Sequence, residues 1–480
     1  MTAALDRLTA ALGAAHVLTS PDDVAHASLD GRGRRQGTCL AVLRPGSTEE
    51  VARVMRIARE ENLVVIAQGG NTSNVEGATP SPGWPDDLNR RTVVLQTARM
   101  NRILAVDPVN NTAHVEAGVV LAKLAEAAKD ADRLFPLSFA AEGSAQMGGV
   151  LATNAGGVHV LRYGNTRALT LGLKVVLADG RVLDLTRSLR KDNAGYDLKQ
   201  LFIGSEGTLG IITEAVVKLE PRPQSRTVLW LTLADLKAVE GLFTALEREA
   251  GPTLTAFELI GRSPLMSAVT VRGFTPPTAP ADWQVLAEIS HMRADDADAA
   301  NERLTDMLGE LMDAGLVTDG AVSQSEDQAD ALWAIREGIP GAVKRQGGNV
   351  KHDVSVPRSR MVEVIERTTA AALRAAVPIS EPSIFGHYGD GNLHFNVGAV
   401  AGSLPKAIFA FEDEIHRIVH DHVLAAGGSI AAEHGVGAMK TLELERTKDP
   451  VELDVMRTVK RALDPEGCLN PGRVVRTEGF

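Results

Sequence analysis

Cysteine is nearly missing from this chain. The two that occur in 480 residues, Cys39 and Cys468, are too far apart for metal-ligand spacing and too few for a disulfide framework, as expected of a reducing, cytoplasmic setting. A basic excess is missing as well. At a net charge of −11 the chain has no general means of neutralising phosphates, which excludes broad nucleic-acid binding, and Arg32, Arg34 and Arg35 read as a solvated loop. No apolar run is long enough to cross a bilayer. The opening residues, Met1-Thr2-Ala3-Ala4-Leu5-Asp6-Arg7, lack the basic-then-apolar order of a secretory signal and read as an amphipathic helix; contact with a membrane surface stays open. Neither a Walker loop nor a G-x-G-x-x-G fingerprint occurs among the glycine-rich segments considered below. What is left, a chain with 44% hydrophobic residues and too long for one core, suits a soluble enzyme of two domains.

Three imidazoles and a carboxylate stand out. They lie in Gly386-His387-Tyr388-Gly389-Asp390-Gly391-Asn392-Leu393-His394 and in Ala432-Glu433-His434-Gly435. His387, His394 and Glu433 can hold a divalent metal, zinc by ligand type, and leave positions open for a substrate. His434 beside them suits a general base near neutral pH. A lone histidine in a glycine-rich strand serves as well as a structural hydrogen-bonder, and an unbroken strand would send His387 and His394 to opposite faces. Gly389-Asp390-Gly391 removes that objection, because Asp-Gly lets the strand turn and re-aim one ring toward the other.

The first half starts β-α-β: a strand over Cys39 to Leu43, a helix over Ser47 to Glu61 with Ser47 as N-cap and Glu50 at the capping-box position, and a strand over Leu63 to Ala67. It runs into Gln68-Gly69-Gly70-Asn71-Thr72-Ser73-Asn74, whose paired glycines let backbone amides approach an anion. Two more small-residue segments follow, Gly143 to Gly157 and Gly204 to Thr213. Three such loops in one predicted domain favour a large bound cofactor. In the second half, strands at Thr227 to Leu233, Thr255 to Ile260, Trp283 to Ser290 and Ala321 to Ser323 alternate with helices at Leu236 to Glu249 and Ala294 to Ala314. The same β-α-β-β-α-β order recurs over Val350 to Val356, Ser359 to Ala375, Ile379 to Phe385, Leu393 to Val397, Pro405 to Ala426 and Ser429 to Ala432. This predicts an α+β protein in which two ferredoxin-like units share one antiparallel sheet.

In their order these motifs resemble the vanillyl-alcohol oxidase and PCMH-type flavoproteins with an FAD-linked oxidase C-terminal domain. Within that family Leu161-Arg162-Tyr163-Gly164, the string Arg190 to Phe202, and Gly386 to His394 resemble the D-2-hydroxyglutarate dehydrogenase group, with D-lactate and glycolate dehydrogenases as neighbours. The resemblance implies a PCMH-type FAD-binding domain over 1–222, a substrate and metal domain over 223–434, and a helical segment over 435–480 that returns to the FAD domain. It implies FAD along Gln68, Gly69, Gly70, Asn71, Thr72, Ser73 and Asn74, then along Pro136, Gly143, Ser144, Gly148, Gly149, Thr153, Asn154 and Gly156. Glu206, Gly207 and Ile211 would lie toward the adenosine, and Asn470 would close over the flavin. The first loop has no His or Cys for a covalent link, so FAD is expected non-covalent. Glu76 stands where the family has glycine and is expected to point outward.

The resemblance further implies oxidation of a D-2-hydroxy acid to the 2-oxo acid, with Arg336 and Lys351 on substrate carboxylates and Asn396 supporting the pocket. Pro340 stands where some relatives carry a hydroxyl that contacts the distal carboxylate, and proline offers no donor. D-2-hydroxyglutarate comes first, with D-malate, D-lactate and glycolate open. A non-catalytic flavin subunit, an oxygen-using oxidase and a flavin-free metal hydrolase are the other readings. The electron acceptor, whether an electron-transfer flavoprotein, a quinone or a cytochrome, is not written in the sequence, and a homodimer is compatible with it.

Overall fold

The computed structural model describes residues 2–293, 296–375, 377–400 and 404–476. Met1, Ala294 at the head of a predicted helix, and the last four residues of the predicted C-terminal segment lie outside the described residues. The chain forms two compact units: Met1–Ala155 with Asn165–Pro221 and Glu433–Phe480, and Gly156–Gly164 with Arg222–Ala432.

The first unit opens with the expected β-α-β. Helix Thr48–Glu60 begins where the Ser47 hydroxyl accepts from the Glu50 amide at 3.2 Å. The Glu50 carboxylate takes the amide of Gly46 at 2.7 Å, one residue earlier than a standard capping box. Val51, Val54, Met55 and Ala58 recur at helical spacing and are buried. Strands Ala41–Leu43 and Val64–Gln68 both run parallel to Thr92–Gln96, which lies between them in a four-stranded sheet with Val64–Gln68 at its edge. That edge does not stay open. Val65 donates to Cys468 O at 2.8 Å and accepts from the Asn470 amide at 3.0 Å, so the C-terminal segment supplies an extra partner. A second, five-stranded antiparallel sheet runs Ile103–Asp107, Thr112–Glu116, Ile211–Lys218, Thr170–Val176, Val182–Leu185.

The second unit is built on one eight-stranded antiparallel sheet. Its order is Val317–Val322, Ser225–Leu233, Trp283–His291, Leu254–Gly261, Ser383–Gly386, Asn392–Gly398 and Asn349–Val350, with Asp353–Ser355 also paired to Asn392–Gly398. This is two ferredoxin-like orders joined through their second strands, Leu254–Gly261 and Ser383–Gly386. The last strand expected of the second half-sheet, Ser429 to Ala432, is reduced to a single bridge between Ser429 and Ser355. The strand expected from Ile379 forms only over Ser383–Gly386.

Strand alternation sorts the side chains onto two faces. Phe257, Leu259, Leu393, Phe395 and Val397 face a core shared with helices Ala238–Ala250, Asp296–Asp313, Met361–Arg374 and Glu412–Ala425. Ala256, Ile260 and Phe385 face helices Arg262–Arg272 and Glu326–Arg345. The second of these helices is 20 residues long, starts at an N-cap Ser325 and carries Pro340 inside it. No element is expected there from the sequence; the interior proline opposes a helix, and nine buried positions on its inner side outweigh that cost.

Candidate active site

Strand Ser383–Gly386 ends in one 3-10 turn, Tyr388–Asp390, and Gly391 at φ +87° closes it into strand Asn392–Gly398. A Cβ at Gly391 would sit 2.4 Å from Val356 O, so both the turn and the packing require glycine there. The turn brings His387 and His394 together edge to face, ring centroids 5.6 Å apart.

Acidic groups stand behind these rings. Glu258, fully buried on the neighbouring strand, accepts His387 Nδ1–H on Oε1 at 2.5 Å and holds the Arg336 guanidinium on Oε2 through Nε at 2.7 Å and a terminal nitrogen at 2.6 Å. Burial alone would raise the Glu258 carboxyl, but the charges of Arg336 and then His387 hold it down at about 2. With its proton fixed on Nδ1, His387 presents the Nε2 lone pair, the arrangement of a metal-ligating histidine backed by a carboxylate. Asp353, also buried, has Oδ1 2.8 Å from the Asn392 amide nitrogen and 3.7 Å from His394 Nδ1. Asp390 in the turn is pushed up to about 6 by burial, against the pull of His387. Asn396 is buried two residues beyond His394 on the same face. Lys351 is exposed in the short break between Asn349–Val350 and Asp353–Ser355. Arg336 lies over the Phe385 ring at 5.1 Å as well as on Glu258. The amide of Ala432 reaches Asp353 O at 3.3 Å. Glu433 and His434 follow directly in the chain, at the start of a first-unit segment.

Sequence reasoning missed Glu258, Asp353 and Asp390. Asp390 was visible only as a turn residue. A carboxylate in an apolar strand is a signal in its own right, since a buried charge must have a partner.

In the first unit the glycine-rich loops pack on one another. A Cβ at Gly70 would fall 2.0 Å from Ser144 O, and one at Gly148 would lie 2.9 Å from Ala117 Cβ, so these two are glycine for packing. At Gly143 and Gly149 a Cβ would meet nothing within 4 Å, which leaves room beside the backbone for a planar or phosphorylated group. Asn71 is left-handed at φ 52° and donates its amide to Leu29 O, while Ser73 Oγ gathers the amides of Val75 and Gly77; Thr72 and Asn74 lie beside them. Gln68 uses its side chain internally, donating to Ala27 O and Ala78 O and accepting from Gln96. Thr153 bonds back to Gly149 O, Asn154 takes the Arg167 amide, and Pro136 is buried. Gly156 heads the short stretch that belongs to the second unit.

Asn470 joins three pieces: its Oδ1 accepts from the Ala67 amide at 2.9 Å, and its Nδ2 donates to Glu206 O at 2.6 Å and Gly77 O at 3.4 Å. Gly207, φ +71°, is held so close that a Cβ would sit 2.9 Å from Asn470 Nδ2. Ile211 is buried at the head of its strand. Glu206 is fully enclosed, and burial raises its carboxyl although each oxygen accepts a backbone amide, from Val436 and from Gly437, both at 2.8 Å. It thereby fixes the chain just after His434.

Two expectations fail here. Glu76 does not point outward: it is buried, and Arg35 meets its Oε1 at 3.0 Å. The Arg32–Arg35 segment is correspondingly not a merely solvated loop, because Arg32 is paired with buried Asp30 at 3.1 Å. The acid that looked unfavourable beside a phosphate is neutralised by the arginines that looked idle.

Family comparisons agree on both parts of the chain. The family of FAD linked oxidases, C-terminal domain, matches residues 222–474, and an FAD binding domain matches residues 39–186. A relative named D-2-hydroxyglutarate dehydrogenase, mitochondrial, from Bos taurus is 38% identical over 96% of this chain and 81% of its own. One named D-2-hydroxyglutarate dehydrogenase from Xanthomonas citri pv. viticola is 36% identical over 98% of this chain and 96% of its own. Among solved structures, p-cresol methylhydroxylase with substrate bound matches with a TM-score of 0.77 at 18% identity, covering 98% of this chain and 96% of that one, a likeness of fold.

Proposed function

Since the chain belongs to the FAD-linked oxidase family and is an FAD-dependent oxidoreductase akin to the D-2-hydroxyglutarate dehydrogenases, we propose that it oxidises D-2-hydroxyglutarate to 2-oxoglutarate with a divalent metal, zinc first, as second cofactor. In this reading residues 1–222 and 435–480 hold non-covalent FAD, and 223–434 hold substrate and metal. The observation that carries it is the His387–His394 pair with Glu258 locking the His387 ring; Glu433 is read as the third ligand.

When bound, the metal would lower the pKa of the substrate hydroxyl as a Lewis acid and the flavin would take the C2 hydride at N5. The remaining work belongs to side chains. His434 accepts the hydroxyl proton, and Glu206 anchors the backbone two and three residues beyond it. Arg336 and Lys351 receive the substrate carboxylates. Arg336 is pre-oriented by Glu258, which fixes the direction of its other N–H groups. Asn396 supports the polar end of the pocket. The glycine cradle at Gly143 and Gly149, with the loop from Gly69 to Asn74, fits the flavin and its phosphates.

Pro340, inside its helix, supplies no donor for a distal carboxylate, and D-malate, D-lactate or glycolate is the second reading. The test is the anaerobic visible spectrum on mixing with D-2-hydroxyglutarate, its L-enantiomer, D-malate, D-lactate and glycolate, before and after chelation. Bleaching by a D-acid that chelator abolishes is expected. A yellow protein reduced by none of them would sink these substrates and leave an unknown hydroxy acid or a non-catalytic flavin subunit. Replacing His434 by Asn should leave FAD and metal bound and slow flavin reduction by about 10²–10⁴-fold.

The electrons then pass to an electron-transfer flavoprotein, a quinone or a cytochrome, and dye reduction compared with peroxide release separates these from oxygen. A cytoplasmic location, soluble or at a membrane surface, goes with this reading. Two buried, unlinked cysteines support a reducing compartment, and among the described residues no helix is long and apolar enough to cross a membrane. A homodimer is the assembly to test by light scattering.

A further inference from the structure

The sheet of the second unit carries another group of histidines on its other face. Val350 and Val354 belong to the apolar core with Leu393 and Phe395, and His352 stands between them, 1% exposed, while Lys351 and Asp353 alternate away. Helix Glu412–Ala425 lies over this face with Ile415, Val419 and Val423 in the same core. His416 and His420, one helical turn apart, project side by side with their rings parallel to within 6°.

We propose that His352, His416 and His420 form a second divalent transition-metal site, separate from the one assigned to His387, His394 and Glu433. One ligand nitrogen from each of the three lies within 4.8 Å of the others. His352 Nδ1 is 2.7 Å from Phe395 O; a carbonyl only accepts, so the proton is on Nδ1 and Nε2 bears a lone pair. His416 Nδ1 sits 2.9 Å from that Nε2. Two nitrogens bound tetrahedrally to zinc at 2.0–2.1 Å are about 3.3 Å apart, so opening this pair by a few tenths of an ångström admits an ion. The proton that His416 Nδ1 shares with His352 then moves to His416 Nε2, which faces Glu412 Oε1 at 3.9 Å. No net proton or electron is lost.

An all-imidazole set takes zinc, cobalt, nickel or copper and not the oxygen-seeking magnesium or calcium. Three ligands leave a fourth position for water. The carbonyl behind His352 plays the orienting part that Glu258 plays for His387. An ion here would pin helix Glu412–Ala425 to the segment that presents Lys351 and Asp353 on the other face.

Titration of the metal-stripped flavoprotein with Co2+, followed by its visible d–d absorption and by bound equivalents, tests this. The unmutated protein is expected to bind two equivalents, and His416→Asn, His420→Gln and His394→Asn one each. Combining His416→Asn with His394→Asn should leave none. His416 is partly exposed, so its substitution disturbs the core least. As a check independent of His420, Co2+ should raise the Tm of the His394→Asn protein but not of the double variant. Unchanged binding in both His416→Asn and His420→Gln, or no binding by His394→Asn, would overturn the proposal. Two equivalents retained by His394→Asn, with one lost by His416→Asn, would instead sink the front-face assignment and leave this one standing.

Discussion

On one face of the second unit's sheet, His387 and His394 stand among carboxylates, with Glu258 fully buried against His387 and Asp353 beside His394. On the other, His352, His416 and His420 converge beside an apolar core, with a backbone carbonyl behind His352. The same residue type is thus tuned in two ways. A carboxylate behind an imidazole raises its basicity and adds negative charge near any ion, at the cost of burying that carboxylate. A carbonyl orients the ring without adding charge. The first setting suits a site that must hold a cation and an anionic substrate; the second suits an ion that only joins a helix to a strand.

The contrast breaks most visibly in turnover. His394→Asn is expected to slow flavin reduction by more than the roughly 100-fold that loss of a supporting partner costs, and His416→Asn to leave it unchanged; equal losses in stopped-flow traces would erase the distinction. Stability comes next. Glu258→Gln leaves Arg336 buried without its counter-charge and should cost about 3–5 kcal/mol in urea unfolding, whereas Glu412→Gln, on a partly exposed helix turn, should stay within about 0.5 kcal/mol.

The acid limb sharpens the same point. Glu258 and Glu288 ordinarily titrate at 4.5 and are held at about 2 in the fold, Glu288 by His159 and Arg226 against burial. A depressed carboxylate stabilises fully above its unfolded value and loses that contribution as pH falls through the folded one. Unfolding should therefore steepen from pH 4.5 toward 2, and Glu258→Gln should flatten part of that slope; a profile identical to the unmutated protein would show that Glu258 is not paired as described. A smaller loss than that of Glu258→Gln is expected at Asn392, which donates to Asp353 and to Val354 O. Asn392→Ala should cost about 1–2 kcal/mol and lower the metal affinity of the front face only.

How much of this could be read in the sequence depends on range. Asn392-Leu393-His394-Phe395-Asn396-Val397 alternates polar and apolar, and that period alone places His394 and Asn396 on one face and Phe395 on the other. The Gly389-Asp390-Gly391 turn and the Ser47 cap are equally local, and both form as expected. What escaped is set by partners distant in sequence. Glu258 finds Arg336 across 78 positions, Glu76 finds Arg35 across a strand, a helix and a second strand, and His352 finds His416 across 64. His416 and His420 did carry a signal, a His-x-x-x-His on a predicted helix, but their third member lies on a strand. Helix Glu326–Arg345 escaped for another reason: its local signal, Pro340, points the wrong way, and only burial of its inner side corrects it.

The bond from Val65 to Cys468 and the three-way tie of Asn470 have a consequence in time. A ribosome delivers the chain from its N-terminal end, so strand Val64–Gln68 is made early with its outer edge bare, while the residues that cover that edge arrive only after the whole of the second unit. Until then the first unit is an unfinished sheet with a sticky border. Arg222–Ala432, with the earlier stretch Gly156–Gly164, makes a compact unit of its own and can close beforehand. The flavin-binding half is therefore begun first and completed last, and the newborn protein is most exposed to aggregation in the interval between those two moments.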